Sequence, residues 1–188
     1  MKIIGIGREL PNQVYLIADS AIIKSNKPFF VPHFAQSFTG TPAIVLHIDR
    51  LGKHIAPRFA HRYCLAVAPA IKVTARGLTE QQPNEATSAL AHCFDGALLL
   101  GDFTAVDDHA RLNSSVVAME QNSTVVAQGC LSDRSIDFRE LIAQLSVYFT
   151  LKMGDMIMIE LEGSAELKMG DTLHAAINGD QRLTIRVK

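Results

Sequence analysis

Short runs of β-branched and apolar residues recur along the chain and predict a strand-rich fold. Lys2–Ile6 and Val14–Ala18 are the first two. Pro42–Ile48 contains the almost unbroken run Ile44-Val45-Leu46, the pattern of a strand covered on both faces. Leu65–Val73 and Ala97–Leu100 repeat it. Ser115–Met119 and Thr124–Gln128 flank Glu120-Gln121-Asn122-Ser123, a plausible hairpin turn. Thr172–Ile177 and Arg182–Val187 flank Asn178-Gly179-Asp180-Gln181, where Asn-Gly tolerates the positive φ of a tight turn. Two segments have helical spacing instead. Ile55, Phe59 and Tyr63 recur every four residues. Asp137 stands at an N-cap with Glu140 in capping-box position, and Phe138, Leu141, Ile142, Leu145 and Phe149 form one apolar stripe that reads as core packing. Between Thr74 and Cys93 the chain is polar, with Gln81-Gln82-Pro83-Asn84, and reads as a loop or surface excursion. Lys152-Met153-Gly154-Asp155 recurs as Lys168-Met169-Gly170-Asp171, which predicts two turns punctuating successive strands. The pattern as a whole predicts one β-rich α+β domain over residues 1–188, with few helices.

Composition narrows the class. With 188 residues, 48% apolar and 20% charged, the chain can bury a sizeable core. A net charge of -1 gives no electrostatic footprint for nucleic acid or acidic membranes. No apolar run approaches the roughly 20 residues that span a bilayer. The short apolar stretch before Arg8 and Glu9 lacks the features of a signal peptide, so a cytoplasmic location is expected. Cys64, Cys93 and Cys130 lie far apart without CxxC spacing and read as free thiols.

Several polar groups were weighed as sites. Glu160 and Glu162 form an i, i+2 carboxylate pair, read as a solvent-facing strand edge in preference to a metal site. His61 and His92 have no second ligand at metal spacing and read as packed or hydrogen-bonded. Ser114-Ser115 lacks the context of a nucleophile, and Asp107-Asp108-His109 reads as a polar loop in preference to a metal cluster.

Six segments in order then carry a resemblance. They are Ile3-Ile4-Gly5-Ile6-Gly7-Arg8; Asp19-Ser20-Ala21-Ile22-Ile23 with Pro28-Phe29-Phe30; Ile48-Asp49-Arg50-Leu51-Gly52-Lys53 running into His54-Ile55-Ala56; Thr74-Ala75-Arg76; Phe94-Asp95-Gly96; and Phe149-Thr150-Leu151-Lys152-Met153-Gly154-Asp155. Together they resemble the fumarylacetoacetate hydrolase family, in particular its short bacterial members. The resemblance implies a mixed, rolled β-sandwich, usually homodimeric. It implies enzymes that hydrolyse, decarboxylate or isomerise β-dicarbonyl and enol acids with a divalent cation, usually Mg2+ or Ca2+, chelating two substrate oxygens.

By the same resemblance, the family's metal ligands are two carboxylates in Glu-x-Glu and an Asp three residues before an Ala-Arg pair. Those positions are Thr41, Ala43 and Lys72. A Lys ammonium about 4 Å from a divalent cation is repelled by roughly 8 kcal/mol at an effective dielectric near 20. No cofactor is therefore expected. The family's Lys before Phe-Asp-Gly is His92, its Arg-Asp-Leu is Arg76-Gly77-Leu78, and its Thr-Gly-Thr-Pro loop falls on Ile159-Glu160-Leu161-Glu162. Of a water-activating His–Glu pair only Glu9 could remain. The leading expectation is a non-catalytic homologue that binds a small anionic ligand or a partner, as a homodimer or a heterodimer with an active paralogue. The alternative is an active hydrolase, decarboxylase or isomerase of a 2-oxo acid. It would use a relocated metal or a basic pocket of Lys72, Arg76 and His92, in which a buried Lys72 could serve as a base or Schiff-base amine.

Overall fold

The computed structural model describes residues 1–8, 13–78 and 85–188. Its strands are β1 (Ile3–Ile6), β2 (Val14–Ile17), β3 (Ile22–Lys24), β4 (Ser37–Ile48), β5 (Cys64–Arg76), β6 (Leu98–Leu100), β7 (Thr104–Ala105), β8 (Val117–Gln121), β9 (Thr124–Gly129), β10 (Met156–Glu160), β11 (Ala165–Leu167), β12 (Thr172–Ile177) and β13 (Asp180–Arg186). The helices are α1 (Pro57–Ala60), α2 (Glu85–Cys93) and α3 (Phe138–Tyr148). A nine-stranded mixed sheet runs β2-β1-β10-β4-β5-β6-β3, with β11 beside β4 and β7 beside β5. A second, four-stranded sheet runs β13-β12-β8-β9.

The long β4–β5 pair is the spine, and period-2 alternation gives it two different faces. Ile44, Leu46 and Ile48 point to one side, where Ile4, Ile6, Ile157 and Ile159 join Phe138, Ile142 and Leu145 of α3. Ala43, Val45, Ala68 and Ala70 point to the other, with Ile3, Ile17, Leu98 and Met158. Toward the far end of the spine, Phe38, Ile71 and Val73 pack on Met119, Leu173 and Ile185 of the second sheet. The β-rich α+β expectation holds, and both expected hairpins form. Asn122 and Ser123 turn at φ 52° and 66°, and Asn178 and Gly179 at 51° and 84°. Asp137 caps α3 by accepting the Arg139 N–H, while Asn113 takes the Phe138 N–H.

Three expectations need correction. The helix expected over 55–63 is one turn, α1, followed by a 3-10 turn at His61–Tyr63. The stretch from Thr74 to Cys93 is not one loop: β5 continues through Arg76, and Glu85–Cys93 is helical, while Gln81-Gln82-Pro83-Asn84 lies outside the described residues. Glu160 is on no edge, because β10 lies between β1 and β4, and its side chain is buried. Glu162, beyond the strand, is exposed and faces Arg8.

The two Lys-Met-Gly-Asp segments are the same device. Asp155 accepts the Lys152 N–H at 2.8 Å, and Asp171 accepts the Lys168 N–H at 2.7 Å. Gly154 and Gly170 sit at φ 88° and 94°, which no L side chain adopts comfortably. Met153 and Met169 project into solvent.

Candidate functional site

Register assembles the site. Thr41 pairs with Lys72 across β4 and β5, and Ala43 pairs with Glu160 across β4 and β10. Directly opposed residues share a face, as do i and i+2 on one strand, so all four lie on the alanine-rich side of the sheet. Thr39, Thr74 and Arg76 extend this polar strip, and Arg76 Nε donates to Thr39 Oγ1 at 3.1 Å. The outer strand β2 adds Tyr15, opposite Gly5.

Lys72 is the largest anomaly. It is 0% exposed, and its Nζ donates to the Val73 carbonyl at 2.5 Å. No direct ion pair and no second hydrogen bond satisfies the ammonium among the described residues. A buried cation with donors to spare is costly. Burial pushes its pKa down to about 8, opposed by the nearby charge of Glu160.

Glu160 is the hub. The Tyr15 hydroxyl donates to its Oε1 at 2.5 Å, and the Arg8 N–H donates to Oε2 at 3.3 Å. Arg134 Nη1 donates to the Glu160 carbonyl at 2.5 Å and Nη2 to that of Gly7 at 2.8 Å. Burial, and then the Glu160 carboxylate, push the Tyr15 hydroxyl far up, so it stays a donor. The Tyr15 ring centroid is 6.0 Å from Lys72 Nζ and 5.3 Å from the His92 ring. Cys93 donates its thiol to the Leu16 carbonyl at 2.9 Å.

Gly5 makes this arrangement feasible. A Cβ there would fall 2.5 Å from Tyr15 Cε2, so the ring lies flat on the sheet only because Gly5 has none. Gly5→Ala is expected to destabilise the protein by about 1–3 kcal/mol through overpacking. The loss should be much smaller when Tyr15→Ala is already present, which a double-mutant cycle by urea denaturation would detect.

The sheet thus brings Lys72 and Arg76 onto one strip, with His92 reaching it through Tyr15. Tyr15, Arg8 and Arg134 carry no sequence motif, and Glu160, expected on a solvent-facing edge, is buried. Glu9 lies outside the described residues. The other weighed groups are structural. His109 Nε2 meets the Cys64 carbonyl at 2.8 Å, and its ring is 5.9 Å from that of His61. Asp108 accepts the Ala110 N–H and pairs with Arg111, and Ser114 and Ser115 donate to the Arg111 carbonyl. Cys64 is a buried thiol pushed up to about 12 by burial. Cys130 is buried and Cys93 half-buried, all three unpaired by disulfides.

The strip does not fit a divalent cation. Such ions need several anionic or carbonyl oxygens. Thr41 offers one neutral oxygen, Ala43 none and Lys72 a positive charge, which leaves Glu160, already held by Tyr15 and the Arg8 N–H, as the one carboxylate of the strip among the described residues. No group of three His, Cys, Asp or Glu side chains converges anywhere among the described residues. No helix among them is long and apolar enough to cross a membrane.

The family model for the fumarylacetoacetate (FAA) hydrolase C-terminal region matches residues 6–188. Solved structures of similar fold include 5-carboxymethyl-2-hydroxymuconate delta-isomerase from Mycobacterium smegmatis, at 24% identity and TM-score 0.84, covering 99% of this chain and 78% of that one. The 2-hydroxyhepta-2,4-diene-1,7-dioate isomerase from Mycobacterium marinum matches at 21% identity and TM-score 0.86, covering 99% and 73%. Fumarylpyruvate hydrolase from Pseudomonas aeruginosa, solved with Mn2+ and pyruvate, matches at 16% and TM-score 0.87, covering 100% and 89%. No curated protein matches the sequence significantly.

Proposed function

Because this chain belongs to the fumarylacetoacetate hydrolase family, we propose that it is a homologue without the family's metal catalysis, whose site takes a small carboxylate-bearing anion. The carrying observation is Lys72, a fully buried ammonium with one hydrogen bond among the described residues, at the position where the family resemblance puts a ligand carboxylate. Among the described residues, two cations, Lys72 and Arg76, stand against one carboxylate, Glu160, in the charge that acts at this position. A ligand carboxylate would supply the acceptors that the Lys72 ammonium lacks. By family resemblance, the protein would work as a homodimer or paired with an active paralogue.

Metal analysis of the purified protein, with and without added Mg2+ or Mn2+, and calorimetry with pyruvate and oxaloacetate test this reading. The expected result is no stoichiometric cation and saturable anion binding that Lys72→Ala removes. A stoichiometric divalent cation would refute it.

One observation favours a second reading. With a pKa of about 8, a fraction of Lys72 is a free amine near neutrality. Metal-free turnover of a 2-oxo acid would then use Lys72, with Arg76 and His92 holding the anion. Oxaloacetate decarboxylation that survives exhaustive chelation and disappears in Lys72→Ala would support it; equal turnover in that variant would remove it.

A further inference from the structure

We propose that the Lys72 amine condenses with the carbonyl of a 2-oxo acid, so that the site holds its ligand as an imine. This rests on the reading that the site takes a small carboxylate anion, and adds the covalent bond. Several observations converge on it. Lys72 is buried with one hydrogen bond from its ammonium among the described residues, so the groups described do not lock it as a structural ammonium. Thr41 lies directly opposite it across the sheet and Ala70 two residues before it on the same face, so neither side chain brings a charge to Nζ. Desolvation lowers its pKa to about 8, as a nucleophilic amine requires. The Glu160 carboxylate, which the Tyr15 hydroxyl holds in place, is the anionic group whose charge acts on Lys72 and is the proton acceptor of the step. An iminium nitrogen also withdraws electrons from an adjacent carbon, the service a divalent cation gives an enolate oxygen.

The step balances within the site. Glu160 takes one proton from the Lys72 ammonium. The free amine attacks the ligand's carbonyl carbon; the C–N bond forms, the C–O π pair moves to oxygen, and a proton passes from nitrogen to that oxygen. Glu160 returns its proton to the carbinolamine hydroxyl, which leaves as water. The product is a protonated imine, with Glu160 again a carboxylate. Arg76, whose charge acts on Lys72, is the guanidinium for the ligand's carboxylate. Tyr15 is the side chain to be displaced for entry. It sits on β2, the outermost strand, whose one neighbour in the sheet is β1.

The test is reductive trapping. The whole protein is incubated with pyruvate and sodium cyanoborohydride, then digested and mapped by mass spectrometry. One reduced pyruvate is expected on the peptide carrying Lys72, well above the level on exposed lysines such as Lys152 and Lys168. Trapping should be at least tenfold faster in Tyr15→Ala, where the ring no longer covers the amine, and slower in Glu160→Gln. Calorimetric binding of pyruvate with no adduct at Lys72, in either wild type or Tyr15→Ala, would overturn the covalent bond and leave the anion site standing. Neither binding nor adduct would overturn both. Label on Lys72 no greater than on the exposed lysines would also overturn the proposal.

Discussion

Replacing Lys72 with Met is expected to stabilise the protein by about 3 kcal/mol at pH 7, while removing the proposed carboxylate binding. Burial depresses the lysine from its ordinary 10.5 to about 8. Each unit of that depression is about 1.4 kcal/mol of preference for the uncharged form, carried as a burden of the folded state whenever the side chain is protonated. Met has similar length and no charge. Glu160 is not orphaned by the change, because Tyr15 and the Arg8 N–H still donate to it. The pH dependence follows from linkage. Between pH 8 and 10.5 the unfolded chain binds the Lys72 proton more than the folded chain does, so wild-type stability gains from this group as pH rises through that window. The advantage of Lys72→Met should therefore be full below pH 8 and should have largely vanished by pH 10.5. Urea denaturation of both proteins at pH 7 and pH 10 reads this directly. A variant less stable than wild type at pH 7 would show that the ammonium is compensated after all.

Asp155→Ala should have an opposite effect of similar size, a loss of about 3 kcal/mol at neutral pH. This buried carboxylate accepts the Lys2 N–H at 2.9 Å and the Lys152 N–H at 2.8 Å, and pairs with the Lys2 ammonium. It therefore joins the residue before β1 to the turn before β10. Burial by itself raises its pKa, but the hydrogen bonds from Lys2 and Lys152 and the Lys2 charge outweigh burial and hold it below the ordinary value. A depressed carboxylate stabilises the fold above its unfolded pKa, near 4, and that contribution is lost as pH falls through the folded value. Wild type should thus lose stability on acidification below about pH 4 more steeply than Asp155→Ala. Parallel acid titrations of the two proteins would bring this out.

How far the sequence could be read depended on what each residue packs against. Ile44-Val45-Leu46 announced a strand because both faces of β4 are apolar there. The extensions of β4 back to Ser37 and of β5 on to Arg76 were not visible, since Thr39, Thr41 and Thr74 line the polar strip and look like loop residues. Lys72 is marked out in the sequence by the resemblance alone, as the residue three places before Ala75-Arg76 where the family has a ligand carboxylate. Glu160 and Glu162 look alike locally, and what separates them is a partner strand: β1 lies about 150 residues earlier and pairs Ile6 with Ile159. No local pattern carries that information. Tyr15 left one faint signal, a glycine within a strand, which marks a close approach by another group. The helix over Glu85–Cys93 was obscured by short polar residues at its start.

The pairing of β1 with β10 also sets the order in which the protein can be completed. Tyr15 and Arg8 reach Glu160 across 145 and 152 residues of chain. At ribosomal speeds of roughly 5–20 residues per second, β1 and β2 exist for many seconds before β10 has been made. Through that interval Ile3, Ile4 and Ile6, which end buried, have β2 on one side but not β10 on the other. The nascent chain therefore carries a sticky N-terminal hairpin until the very segment that bears Glu160 arrives. Scaffold and ligand site mature in the same late step, and an amino-acid change that slows that docking lengthens the time during which chaperones are needed.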